Sequence, residues 1–378
     1  MYSSRSDPRR LSRITCQVHH RLSRSVTDCL SRLAVDTVLV ESGRTVRQLR
    51  RRRPLGLPGT IVRVDDAPTE IFRITVNLED EFTVMHELIA AAEIDTPGRG
   101  SIFSQHVDEY SACPIPRIPG TGSDPGPRAL LHDLTLITCV LSMRGSGEQI
   151  ARLALELGSC VPVVALGDGT GVRDRLGLLR ITIPPEKEIA HLLVPEHDAN
   201  EIMRLLIEEG RLDRPGRGLV YRTPVSVGML DTRLRVGYQE HAASIEQIIA
   251  AVDELKRGTS WRKRFASVEA FGGDPTAHLR LTNREISVIC SEGRAVDLVH
   301  AAISAGAGGA TTSRIRRLNL DAGDSRATAL ERSIISVPSD LTEDILDALF
   351  EAGAVSDDGI DRVQALDAPA TFSHTEKE

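Results

Sequence analysis

Residues 88–100 read LIAAAEIDTPGRG and residues 206–218 read LIEEGRLDRPGRG, and the two align without a gap. Leu, Ile, Asp and all of Pro-Gly-Arg-Gly coincide, and an apolar run follows each. Agreement of that length within one chain marks an internal repeat, which takes precedence over any single motif. Each copy has the composition of a helix that ends at a turn and enters a strand. In the second copy Asp198 and Glu201 read as a capping box, and Ile202, Leu205 and Leu206 follow at helical spacing. Gly210 is placed to take the left-handed exit from that helix. Leu192-Leu193-Val194 before it and Leu219-Val220-Tyr221 after it read as strands.

A third, fainter copy emerges when Val194-Pro195 is laid on Val337-Pro338. Ile202 then meets Ile345, Leu206 meets Leu349 and Gly210 meets Gly353, while the glycine turn has become Ser356-Asp357-Asp358-Gly359. Each copy also has an upstream half that opens with a cysteine-bearing strand, at Cys16, Cys139 and Cys290. Helical stretches follow at 25–33, 147–157 and 294–304, then strands near 37–40, 161–166 and 310–315. The order is β-α-β, loop, β-α-β, three times. This predicts an α+β chain of three tandem ferredoxin-like (βαββαβ) domains. One sheet face is left for another repeat or subunit to cover.

Composition places the boundaries. A polar, Arg-rich tail covers 1–12, unit one 13–112, a Pro/Gly-rich linker 113–133 and unit two 134–265 with a C-terminal helix, Ser244 to Lys256. A second linker covers 266–283, a degenerate unit three 284–372 and a tail 373–378. The start has no apolar core and so is not a secretory signal. No run approaches the roughly 18 apolar residues of a membrane helix. The six cysteines are scattered without a Cys-x-x-Cys pair, which reads as free thiols in a cytoplasmic protein.

A net charge of −7 and 3% aromatic residues argue against nucleic-acid binding, including by an RRM-like sheet face. Walker A, His-Glu-x-x-His and Gly-x-Ser-x-Gly motifs are absent, and the histidines do not cluster at metal spacing. The chain therefore reads as a non-enzyme without a metal cofactor. Gly167-Asp168-Gly169-Thr170-Gly171 has Val172 where a dinucleotide fingerprint needs its third glycine. Arg50-Arg51-Arg52-Arg53 reads as a mobile loop, either simply solvated or docking an acidic partner or membrane surface.

Unit two, from Leu134 to Gly237, resembles the PII family of trimeric signalling proteins. Gly167-Asp168-Gly169-Thr170 stands where that family begins its T-loop, and Lys187-Glu188-Ile189 resembles the return into the third strand. Pro215-Gly216-Arg217-Gly218 looks like the B-loop, and Arg233-Leu234-Arg235 resembles the Arg-x-Arg near the C-loop. Unit one shares part of the pattern through Gly98, Arg99 and Gly100. The resemblance implies a trimer with an adenine nucleotide (ATP, ADP, AMP or cyclic AMP, with bicarbonate a further effector) in an inter-unit cleft, and three copies in one chain make this a single-chain pseudo-trimer. The implied contacts are Gly167, Gly169, Thr170, Gly216, Arg217, Gly218, Arg233 and Arg235, with Gly98, Arg99 and Gly100 in unit one. A transporter, channel or enzyme would dock on the T-loop-like loops. There are departures: the family's B-loop lysine would fall near Leu219, and the loop 171–185 is short and lacks tyrosine.

The same residues carry plain readings. On a strand Arg233 and Arg235 share one face about 6.6–6.8 Å apart, which suits two phosphates and equally a solvated edge. The glycine turn serves an anion or a tight helix-to-strand connection. A ligand-free structural adaptor built on degenerate PII-like domains is the alternative.

Overall fold

The structure is a computed structural model and describes residues 7–52, 60–118, 130–157, 160–171, 186–231, 283–320 and 327–373. Unit one runs β1 (Arg9–His19), α1 (Ser23–Arg32), β2 (Val38–Arg52), β3 (Thr60–Val76), α2 (Glu81–Ala92) and β4 (Gly100–Tyr110). Unit two runs β5 (Leu134–Leu141), α3 (Ser146–Leu157), β6 (Val163–Gly171), β7 (Glu186–Pro195), α4 (Ala199–Gly210), β8 (Gly218–Pro224) and a short β9 (Val227–Met229). Unit three runs β10 (Asn283–Ser291), α5 (Ala295–Ser304), β11 (Gly309–Arg317), β12 (Thr328–Pro338), α6 (Thr342–Glu351), β13 (Arg362–Ala368) and β14 (Ala370–Ser373). Within each unit the strands lie in the spatial order fourth, first, third, second, all antiparallel. That is the ferredoxin-like arrangement.

Alternation along the strands builds the cores. Ile14, Cys16 and Val18 on β1 face α1 and α2 and join Val26, Leu30, Met85, Leu88 and Ile89 in one cluster. Ile137 and Cys139 do the same under α3 and α4, and Ile286, Val288 and Cys290 under α5 and α6. The three strand cysteines are thus small core hydrophobes. Burial pushes the Cys16 and Cys290 thiols up to about 12. The opposite sheet faces are buried as well, and β5 is covered along its whole length.

The units are stitched at their edges. The second strands form a closed ring: 39–40 of β2 pair with 316–317 of β11, 43–45 of β2 with 163–165 of β6, and 168–171 of β6 with 309–312 of β11. All three junctions are antiparallel. The last strands repeat the pattern. β9 of unit two pairs with β4, β14 of unit three with β8, and the end of β4 with β13. Among the described residues the result is one sheet of 14 strands.

Several local expectations are corrected. Arg50, Arg51 and Arg52 are strand, not loop, paired with Val62, Ile61 and Thr60. β1 begins at Arg9, inside the stretch read as a tail. Asp198 makes no side-chain cap, because the chain enters α4 through a 3-10 turn, Glu196–Asp198, that places it already in helical conformation. The left-handed residue after α4 is Arg211 (φ 51°), not Gly210. There the Leu212 amide reaches the Ile207 carbonyl at 3.0 Å, and Leu212 is fully buried as the hydrophobic anchor of the turn. The helix expected at 244–256 lies outside the described residues.

Candidate ligand clefts

The two glycine turns sit alike, each between the second helix of its unit and the fourth strand. The fold itself demands two of their glycines. Gly100 has φ 145° and a Cβ there would lie 2.0 Å from the Gln17 carbonyl oxygen. Gly218 has φ 137° and its Cβ would lie 1.9 Å from that of Val140. Both close approaches come from pairing the fourth strand to the first, Gly100 with Val18 and Gly218 with Leu141. Recurrence of the last glycine of Pro-Gly-Arg-Gly is therefore accounted for by packing, whatever else the turns do.

The turns face different surroundings. The Gly98 amide donates to Oδ1 of Asp231 at 2.8 Å, a carboxylate that unit two contributes. Arg99 lines the same cleft and pairs with Glu93. The space left between Gln17, His19, Thr45, Thr69, Arg99, Val161, Val163 and Asp231 is about 10 Å³. In unit two the Arg217 carbonyl accepts from the Ser142 amide at 3.0 Å, which ties the turn Gly216-Arg217-Gly218 to the end of β5.

Gly167, Gly169 and Thr170 do not open a loop. They lie in β6, with Gly169 opposite Thr311 and Thr170 opposite Ala310 of β11. A Cβ at Gly167 would come within 3.0 Å of the Thr312 carbonyl, so this glycine lets unit three approach. The structure does not bring these residues together with Gly98, Arg99 and Gly100, which belong to another cleft. Arg233 and Arg235 lie outside the described residues.

A larger cavity, about 610 Å³, opens between units three and one. Ser31, Ala34, Val35 and Asp36, around the α1–β2 connection, form one wall. Arg317, Leu318, Asn319, Leu320 and Thr328, at the ends of β11 and β12, form the other, with Pro116 and Ile360 beside them. Arg317 reaches Asp36 at 3.4 Å and Ser31 donates to the Leu320 carbonyl at 3.1 Å. The sequence reading missed this site. Its residues carry no motif, and unit three lacks the glycine loops that mark the other two. Asp231 was missed for a like reason, since a lone aspartate beyond a three-residue strand has no spacing to reveal it.

A buried polar cluster lies on the inner sheet faces. Arg73 donates to Glu41 at 2.6 Å, Arg13 to Glu285 at 3.2 Å, and Tyr221 to Glu285 at 2.8 Å. His191 is buried beside them. Burial, Arg73 and Arg332 bring its pKa down to about 3, outweighing Glu41, so it is neutral near pH 7. Burial and Arg73 lower Arg332 to about 9, still cationic at that pH. Among the described residues no group of His, Cys, Asp and Glu could hold a metal ion. No described helix is long and apolar enough to cross a membrane.

The chain matches no family model and no curated protein. Among solved structures it resembles B. subtilis GlnK, at 12% identity over 28% of this chain and 90% of that one, with a TM-score of 0.23. It also resembles the B. subtilis GlnK–ATP complex, at 12% identity over 27% of this chain and 89% of that one, with a TM-score of 0.23. A likeness at that score carries no weight for what this chain binds.

Proposed function

We propose that this chain is a regulatory protein of PII-like design, a pseudo-trimer in one polypeptide that senses a small ligand between its units. The ring of second strands supports the pseudo-trimer, because each of the three units contributes the same edge to the same cyclic pairing. Heterologous contacts that close into a ring are how three equivalent bodies assemble. The observation that carries the sensing reading is the cavity between units three and one, whose 610 Å³ falls in the range of small-molecule sites. Val35, Leu318, Leu320 and Ile360 offer apolar walls for a flat base, while Arg317, oriented by Asp36 at 3.4 Å, offers a guanidinium for phosphate. An adenine nucleotide fits that set. Binding there would couple unit one to the ends of β11 and β12, and so to a cytoplasmic transporter or enzyme partner. The reading assigns no catalytic step.

The test is isothermal titration with ATP, ADP and AMP on the wild type, Arg317→Ala and the double variant Arg233→Ala/Arg235→Ala. Micromolar binding weakened about tenfold or more by Arg317→Ala is expected, the loss of one charged contact to phosphate. Binding lost only in the double variant would move the site to the cleft unit two was expected to form. No binding by the wild type to any of the three sinks the sensor reading. It would favour the structural adaptor, which the glycine turns already accommodate because packing alone requires Gly100 and Gly218.

A further inference from the structure

The cleft between units one and two is built like a ligand site and filled from within. On its floor is the turn Pro97-Gly98-Arg99-Gly100, with Gly98 at φ 86° and its amide directed at the Asp231 carboxylate, 2.8 Å away. A main-chain amide in such a turn, beside an arginine, is a setting that holds anions. Asp231 is 9% exposed, so its charge has left water for that amide. The remaining volume, about 10 Å³, is room for one water at most.

The strand that delivers Asp231 is short. β9 pairs with β4 only through Ile102↔Met229, Phe103↔Gly228 and Ser104↔Val227, with one further bridge from Gly228 to Leu131. Its seat depends on Gly228. A Cβ there would stand 2.9 Å from Leu134 and Phe103 side-chain atoms and 3.0 Å from the Ile102 carbonyl. We propose that Asp231 is a built-in ligand: its carboxylate occupies an anion site at the Gly98 turn, and the site opens to a phosphate-bearing ligand when β9 leaves β4. The inference rests on the reading of the inter-unit clefts as ligand sites, and the experiment separates the two.

Pyrophosphate and ATP are titrated into the full chain as wild type, Asp231→Ala and Gly228→Val, the last displacing β9 without touching the carboxylate. Each variant is expected to bind one molar equivalent more than the wild type. Unchanged stoichiometry in folded variants overturns the proposal. Gly228→Val, which leaves the carboxylate intact, decides the matter if alanine unfolds the chain. In the wild type the Gly98 amide resonance should not move with millimolar pyrophosphate, and a saturating shift would likewise overturn the proposal. If the wild type binds nothing and Asp231→Ala binds one equivalent, the filled site stands and the sensing cavity between units three and one falls. If both bind one equivalent, the reverse holds.

Discussion

Glu285 is where the three units meet. It takes Arg13 of unit one, Tyr221 of unit two and, at 3.6 Å, Arg332 of its own unit. Burial alone would raise its carboxyl, but Arg13, Arg332 and Tyr221 hold it below the usual carboxylate range. Removing its charge strands two buried guanidinium groups, so Glu285→Gln is expected to cost about 3–5 kcal/mol in urea unfolding. A loss under about 1 kcal/mol would mean that water already supports those arginines. His191 gives the opposite kind of pH signal. Its folded pKa of about 3 lies below the ordinary value, so on acidification the unfolded chain takes up a proton that the folded chain refuses. Stability should therefore fall as pH drops from about 6.5 toward 3, by up to about 1.4 kcal/mol per pH unit. His191→Gln should flatten that slope between pH 5 and 6.5, and an unchanged slope would place the proton elsewhere. None of this cluster was legible in the sequence, because its members are scattered single residues that only the closed sheet gathers.

The second strands are the elements that decide how the units join. The sequence located all three but ended them early, near Val40, Leu166 and Ile315; beyond the first two, Gly43 and Gly167-Asp168-Gly169 lower strand propensity. Their continuations, to Arg52, Gly171 and Arg317, are held by cross-strand partners, for β6 by a strand more than a hundred residues away. Such partners leave no local trace. Gly167 belongs to this junction, and Gly167→Val should loosen β6 from β11. Amide hydrogen exchange at 168–171 should speed up while exchange in β1 stays slow. Protection unchanged at 168–171 would show that the edge yields without cost. The glycine turns, by contrast, were legible as turns, although their chemistry was not. Pairing to the first strand explains why Gly218→Ala should cost about 2–4 kcal/mol even if no ligand ever binds there.

Counted back ten residues from the first helix of each unit, Arg13, Leu136 and Glu285 hold one and the same place on the inner face. A homotrimer of any single unit would put three cations, three leucines or three carboxylates together there. The chain instead sets one of each, so its units complement one another and do not interchange. It is expected to run as a single copy, near its own mass of 41.2 kDa, in light scattering behind gel filtration. A species of three times that mass would mean the ring closes between chains. The helix-on-sheet cores were readable from periodicity, and the repeat of the first two units from Pro-Gly-Arg-Gly. The cavity between units three and one was not, because its walls come from five separated places in the sequence.

The stitching of the last strands also sets an order in time. β11 closes the ring on β2 and β6, β13 seals β4, and β14 caps β8. All belong to the third unit, which leaves the ribosome after the other two. At ordinary elongation speed the stretch from β10 to β14 takes roughly 5–20 s to appear. Through that interval the inner-face residues of the first two units that pack against unit three, Leu11, Leu39, Val107 and Tyr221 among them, have no lid. A nascent chain of this design must be shielded while it waits, and a message cut short before β10 would release a sticky fragment.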